Sequence, residues 1–133
     1  MAKGPEKKFE DKLRKALTER GAVVRKLHGS QFQRDLPDLL VGFEGRIFMI
    51  EVKAGKPHGN AQATQNLLMR MSVGQKFEAS YWTRAKCEYW VVLGDGPTDR
   101  AFAARLKSGT VSVPERTIDA AAEYVLRWKQ MEA

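Results

Sequence analysis

Three residues in one short stretch have types and spacing suited to chemistry: Asp38, Glu51 and Lys53. They lie in the run Leu-Pro-Asp-Leu-Leu-Val-Gly-Phe-Glu-Gly-Arg-Ile-Phe-Met-Ile-Glu-Val-Lys-Ala, from Leu36 to Ala54. Leu39 to Phe43 and Ile47 to Val52 are β-rich apolar runs, and Glu44-Gly45 between them predicts a two-residue hairpin turn with Gly at a positive φ. In that register cross-strand partners sum to 89, so Asp38 faces Glu51 with Cβ atoms about 4.5–5.5 Å apart. Like charges directly opposed are destabilising, so the pair calls for a cation between them. Strand alternation puts Lys53 on the face of Glu51 and turns the Val52 side chain into the core. Pro37 suits the first residue of a strand, where its missing N–H breaks no ladder bond.

The elements that must hold this platform are legible on either side. Residues 5–20 predict a helix with Pro5 in its first turn, Phe9, Leu13, Ala16 and Leu17 as the apolar stripe, and Gly21 just past its end. Lys7, Lys8, Lys12, Arg14 and Lys15 make its outer surface basic, and Glu10 stands at the edge of the stripe. Ala22–Leu27 predicts a short strand, followed by a polar loop from His28 to Asp35. Beyond Lys53, a turn-rich segment carrying Lys56 and His58 leads to a helix expected over Ala61–Met71, ended by Gly74, with Gln62 and Gln65 near its start. Strands are expected at Glu78–Thr83 and Glu88–Leu93 and a turn at Asp95-Gly96-Pro97. A helix capped by Thr98 is expected to run through Leu106, and a last helix to start near Thr117. Tyr81, Trp82, Tyr89 and Trp90 read as core or sheet-face aromatics. The order is helix, three strands, helix, two strands, two helices: an α/β fold with a mixed sheet flanked by helices.

Composition narrows the partners. A chain of 133 residues with 43% hydrophobic and 29% charged residues fits one domain, 1–133, with a single core. A net charge of +7 suits a polyanion, nucleic acid first among them, although solubility alone also accounts for a total. Cys87 is the only cysteine, which excludes an intramolecular disulfide or a cysteine-based zinc site. No apolar run reaches about 18 residues and no leader-like stretch opens the chain, so no membrane partner and a cytoplasmic location are expected.

Pro37-Asp38 followed by Glu51-Val52-Lys53 after a strand–turn–strand interval resembles the core motif of the PD-(D/E)XK nuclease superfamily. Within it the chain resembles archaeal-type Holliday-junction resolvases and virus-type replication-repair (VRR-NUC) nucleases, over residues 3 to 93. The resemblance implies a restriction-endonuclease-like sheet, with residues 95–133 as a C-terminal helical extension. It implies Mg²⁺, or Mn²⁺ in its place, held by Asp38, Glu51 and the backbone carbonyl of Val52, with Lys53 as the catalytic lysine. Glu10 of Glu10-Asp11-Lys12-Leu13 matches the resolvases' first-helix glutamate at the metal site; pairing with Arg14 is the alternative. Gln65 matches a further glutamine that holds the lysine or a phosphate; an exposed helix glutamine is the alternative. Ser30 matches a loop serine of the resolvases. With Lys3, Lys7, Arg34 and Lys56 it is assigned to DNA contact. The implied activity is a homodimeric, structure-selective DNA endonuclease on branched DNA. A flap, single-strand or restriction-type nuclease and a non-catalytic nucleic-acid-binding module are the alternatives.

Overall fold

The computed structural model describes residues 4–27, 35–55, 71–106 and 116–131. In chain order they form α1 (Pro5–Glu19), β1 (Val23–Lys26), β2 (Leu39–Phe43), β3 (Arg46–Ala54), α2 (Val73–Arg84), β4 (Tyr89–Asp95), β5 (Arg100–Leu106), β6 (Arg116–Thr117) and α3 (Ile118–Met131). The strands make one six-stranded sheet in sequence order. All neighbours are antiparallel except β3 and β4, whose parallel pairing makes the sheet mixed. The fold is therefore α/β, a mixed sheet flanked by helices.

The hairpin forms in the expected register. Leu39 pairs with Ile50 and Phe43 with Arg46, so partners sum to 89. Glu44 and Gly45 have φ of 47° and 82°, the paired positive values of a type I′ turn, whose twist matches that of the flanking strands. The spacing of Phe9, Leu13, Ala16 and Leu17 brings α1 onto the sheet with all four side chains buried. Gly21, at φ 94°, ends that helix, its N–H donating to the Thr18 carbonyl. A Cβ on Gly94 of β4 would stand 2.0 Å from the Phe9 ring, so the bare backbone is what lets α1 seat there. The α1 face of the sheet also receives α3, where Tyr124 meets Trp90 edge-on at 5.8 Å. Glu51 and Lys53 project from the opposite face, toward α2. The sheet is thus covered on both sides.

Two elements differ from the sequence expectation. Glu78–Thr83 is not a strand but the body of α2, and Gly74 lies in that helix's first turn rather than at the end of an earlier one. The signal was Ser72-x-x-Gln75, a capping box: the Ser72 hydroxyl accepts from the Gln75 N–H at 3.1 Å, and the Gln75 side chain accepts from the Ser72 N–H at 2.9 Å. Gly74 is suited to its place because a Cβ would lie 2.3 Å from the Asp35 carboxylate. Thr98–Leu106 is not a helix either. Ala101, Phe102, Ala103 and Ala104 are buried in β5, paired along its whole length with β4. Alanine favours a helix by intrinsic propensity, but ladder pairing and burial on both faces override it. Thr98 instead closes the preceding turn, its hydroxyl donating to Asp95 Oδ2 at 2.9 Å. The expected C-terminal helices therefore reduce, among the described residues, to α3, which Thr117 caps by accepting from the Ala120 N–H. The helix expected over 61–71 lies almost wholly outside the described residues.

Candidate active site

The hairpin register fixes where the two carboxylates meet. Asp38 sits one residue before β2, and its Oδ2 accepts the Val52 N–H at 2.7 Å, which anchors it across from Glu51. Glu51 is 2% exposed. Its Oε1 lies 3.8 Å from the Lys53 ammonium and 3.4 Å from Gln75 Nε2, whereas its Oε2 is buried with no hydrogen-bond partner. Burial, and then the neighbouring Asp38 carboxylate, push the Glu51 carboxyl up to about 9, with Lys53 acting in the opposite direction. A buried acceptor without a donor is costly, and two carboxylates that resist joint ionisation make the cost larger.

Gln75 joins the site from the other layer. Its Oε1 accepts from Lys53 Nζ at 2.9 Å as well as from the Ser72 N–H, so the α2 cap and the site share one amide. The N–H₂ of the same amide donates to Glu51. Lys53 is thereby held between Gln75 and Glu51 rather than extended into solvent. Sequence reading placed this role at Gln65, which lies outside the described residues; Ser72-x-x-Gln75 was the signal pointing to Gln75.

Glu10, on α1, is also 2% exposed, but both its oxygens are engaged. Lys26 Nζ donates to them at 3.0 and 2.8 Å, and Lys7 Nζ to Oε2 at 3.2 Å. Its partners are these two lysines rather than Arg14. Lys7 also pairs with Asp11 at 3.1 Å, and its hydrogen bonds to Asp11 and Glu10 raise its pKa. Glu6, one turn earlier on α1, feels the charges of Asp38 and Lys53. Burial first, and then Asp38, push its carboxyl above the usual range. Sequence reading missed Glu6 and Lys26. The i,i+4 relation of Glu6 to Glu10 was its only sequence signal. Lys3, Ser30, Arg34 and Lys56 lie outside the described residues.

A divalent cation fits this donor set. Among the described residues no three His, Cys, Asp or Glu side chains gather into a ready-made cage. A hard ion such as Mg²⁺ does not need one, since it takes one or two carboxylates and keeps several waters. The orphaned Glu51 Oε2 beside Asp38 is the kind of oxygen such an ion satisfies. No helix among the described residues is long and apolar enough to cross a membrane.

The family model for the archaeal Holliday junction resolvase (Hjc) matches residues 1–88, a span that holds Glu10, Asp38, Glu51, Lys53 and Gln75. Among solved structures the chain is similar to Archaeoglobus fulgidus Hjc, described as a Holliday junction resolvase from an archaeal hyperthermophile. Identity is 17%, the match covers 87% of this chain and 98% of that one, and the TM-score is 0.47. No curated protein sequence matches. The chain belongs to the archaeal Holliday junction resolvase (Hjc) family, within the PD-(D/E)XK superfamily.

Proposed function

We propose that this protein is a divalent-metal-dependent endodeoxyribonuclease that cuts branched DNA at the Asp38–Glu51–Lys53 site, with Mg²⁺ as its ion and Mn²⁺ able to substitute. Family membership implies a junction-cleaving endonuclease. The observation that carries the finer reading is the buried Glu51 Oε2 without a partner, set beside Asp38. Asp38 and Glu51 would hold the ion, with the Val52 carbonyl as a further oxygen. Such an ion, when bound, supplies Lewis acidity to the scissile phosphate and lowers the pKa of a bound water.

The chain's own groups account for the rest. Lys53 offsets the charge that builds on the phosphate oxygens, a preorganised electrostatic contribution that grows in a site sheltered from water. Gln75 is the positioning residue that keeps the ammonium on the Glu51 side. Glu10 is a secondary acid: with Lys26 and Lys7 on its oxygens, it would ligate only by exchanging a lysine for an ion. Lys3, Lys7, Ser30, Arg34 and Lys56 are assigned to the DNA backbone, where contacts position the substrate without reading sequence. Residues 1–133 act as one nuclease domain on DNA in the cytoplasm. Two copies, with active sites on opposed strands, would give the paired cuts that a four-way junction requires.

The test uses labelled four-way junction, flap, linear duplex and single-stranded DNA with Mg²⁺, Mn²⁺ or EDTA, for wild type, Asp38→Asn and Glu51→Gln. Paired symmetric nicks in the junction that need metal, and are lost in both variants while binding persists, are the expected result. Preference for flaps or single strands keeps the site and rejects the junction. DNA binding without cleavage under any metal rejects the enzyme.

A further inference from the structure

The sheet has a second end. Where β3 begins, β4 begins and β5 ends, the last turns of α2 and α3 enclose an open groove of about 1010 Å³. One acid lines it, Glu88, and that acid is already spent. Arg46 Nη2 donates to both Glu88 oxygens at 2.9 and 2.7 Å, and Trp128 Nε1 donates to Oε1 at 2.8 Å. Four other cations line the groove: Arg84, Lys86, Arg105 and Lys129. None of the four has a carboxylate partner among the described residues. Arg84, Lys86 and Lys129 are exposed. The Trp128 ring organises two of them, with the Arg105 guanidinium 3.7 Å and the Lys129 ammonium 5.6 Å from its centre.

Uncompensated cations gathered on one concave surface raise the local concentration of a polyanion. The groove's relation to the active site suggests which polyanion. Lys53 stands seven residues along β3 from Arg46, a distance of about 23 Å at roughly 3.3 Å per residue. At about 3.4 Å per nucleotide that corresponds to some seven nucleotides of one backbone. Helix α2 links the two places, with Gln75 in its first turn at the site and Arg84 in its last turn at the groove. We propose that this groove, formed by Arg84, Lys86, Arg105 and Lys129 around Trp128, is a second DNA-backbone site, which grips an arm of the substrate about seven nucleotides from the phosphate being cut. The proposal rests on the nuclease reading above. It gives the protein a way to sense the length of an arm without reading its sequence.

The experiment measures binding in EDTA as a function of salt for wild type and for Arg84→Ala/Lys86→Ala/Lys129→Ala. The substrates are junctions whose loop-capped arms have either about four or about fifteen base pairs, below and beyond the reach estimated from the backbone spacing. Each phosphate neutralised contributes about −0.9 to the slope of log K against log salt, so the triple variant should lose about 2 to 3 from that slope on long arms and nothing on short ones. A charge-keeping Arg84→Lys/Lys86→Arg/Lys129→Arg protein should behave as wild type, which separates lost charge from lost folding. An unchanged slope on long arms overturns the proposal. So does an equal loss on short arms, and so does an unchanged slope accompanied by lost self-association, which would give the groove to a second copy of the chain. The two readings fail separately: a groove-dependent slope in a protein that cuts nothing with any metal leaves the groove standing and rejects the nuclease, whereas metal-dependent cutting with an unchanged slope does the reverse.

Discussion

Two glutamates in this protein are equally buried and are treated in opposite ways. Glu10 and Glu51 are each 2% exposed. Glu10, on α1, has Lys26 and Lys7 on its oxygens; Glu51, on β3, has a second carboxylate beside it and one oxygen with no donor. The first is a buried charge whose pairing is complete within the chain. The second remains incomplete, and Lys53, at 3.8 Å, is too far from Oε1 for a hydrogen bond. Burial alone therefore does not mark a site. What singles out Glu51 as the candidate is burial that the protein's own groups leave uncompensated, at one end of a hairpin.

The largest expected effect breaks the Glu51 side of this contrast. Asp38→Asn or Glu51→Gln should lower junction cleavage by on the order of 10³-fold or more, as loss of metal and transition-state electrostatics does, with DNA binding in EDTA retained. Single-turnover assays in Mg²⁺ check it. Gln75→Ala should cost less, about 10- to 100-fold, as expected for a group that orients another. Its loss should fall on the cleavage rate rather than on DNA affinity.

The Glu10 side should break as stability instead. Lys26→Met removes the donor to both Glu10 oxygens, and a buried acceptor left short of partners costs about 1–3 kcal/mol. The drop in Tm should be the same with and without Mg²⁺. By contrast, Glu51→Gln should raise the Tm of the metal-free protein near neutral pH, because folding must protonate Glu51, which is ionised in the unfolded chain, whereas a neutral amide needs no proton.

A smaller effect sharpens the comparison through pH. The Glu51 carboxyl is at about 9 in the folded chain against an ordinary value of 4.5, so between those values the folded state binds more protons than the unfolded one. Stability from this group is therefore present at low pH and declines as pH rises through that window. Metal-free wild type should lose Tm from pH 5 to pH 9 more steeply than Glu51→Gln. A divalent ion should flatten the wild-type curve alone.

Local patterns made most of the site readable beforehand. The hairpin, its register and the shared face of Glu51 and Lys53 all follow from strand period and a two-residue turn, and these need no tertiary information. Gln75 was readable in principle through Ser72-x-x-Gln75, but the aromatic run Tyr81-Trp82 drew the segment toward a strand. Lys26 as the partner of Glu10 was not readable, since it comes from a neighbouring strand and the pairing depends on how α1 docks. The alanines of β5 misled for a related reason: their helical propensity is small beside a full ladder with β4 and burial under α3. The groove at the far end of the sheet gathers residues from β3, α2, β5, α3 and the turn before β4, and leaves no trace in any one of them.

The most direct test of the account is a calorimetric titration of Mn²⁺ into wild type, Glu51→Gln and Glu10→Gln. The contrast between the two glutamates predicts binding in wild type and Glu10→Gln and none in Glu51→Gln. Undiminished binding in Glu51→Gln, or its loss only in Glu10→Gln, would contradict it.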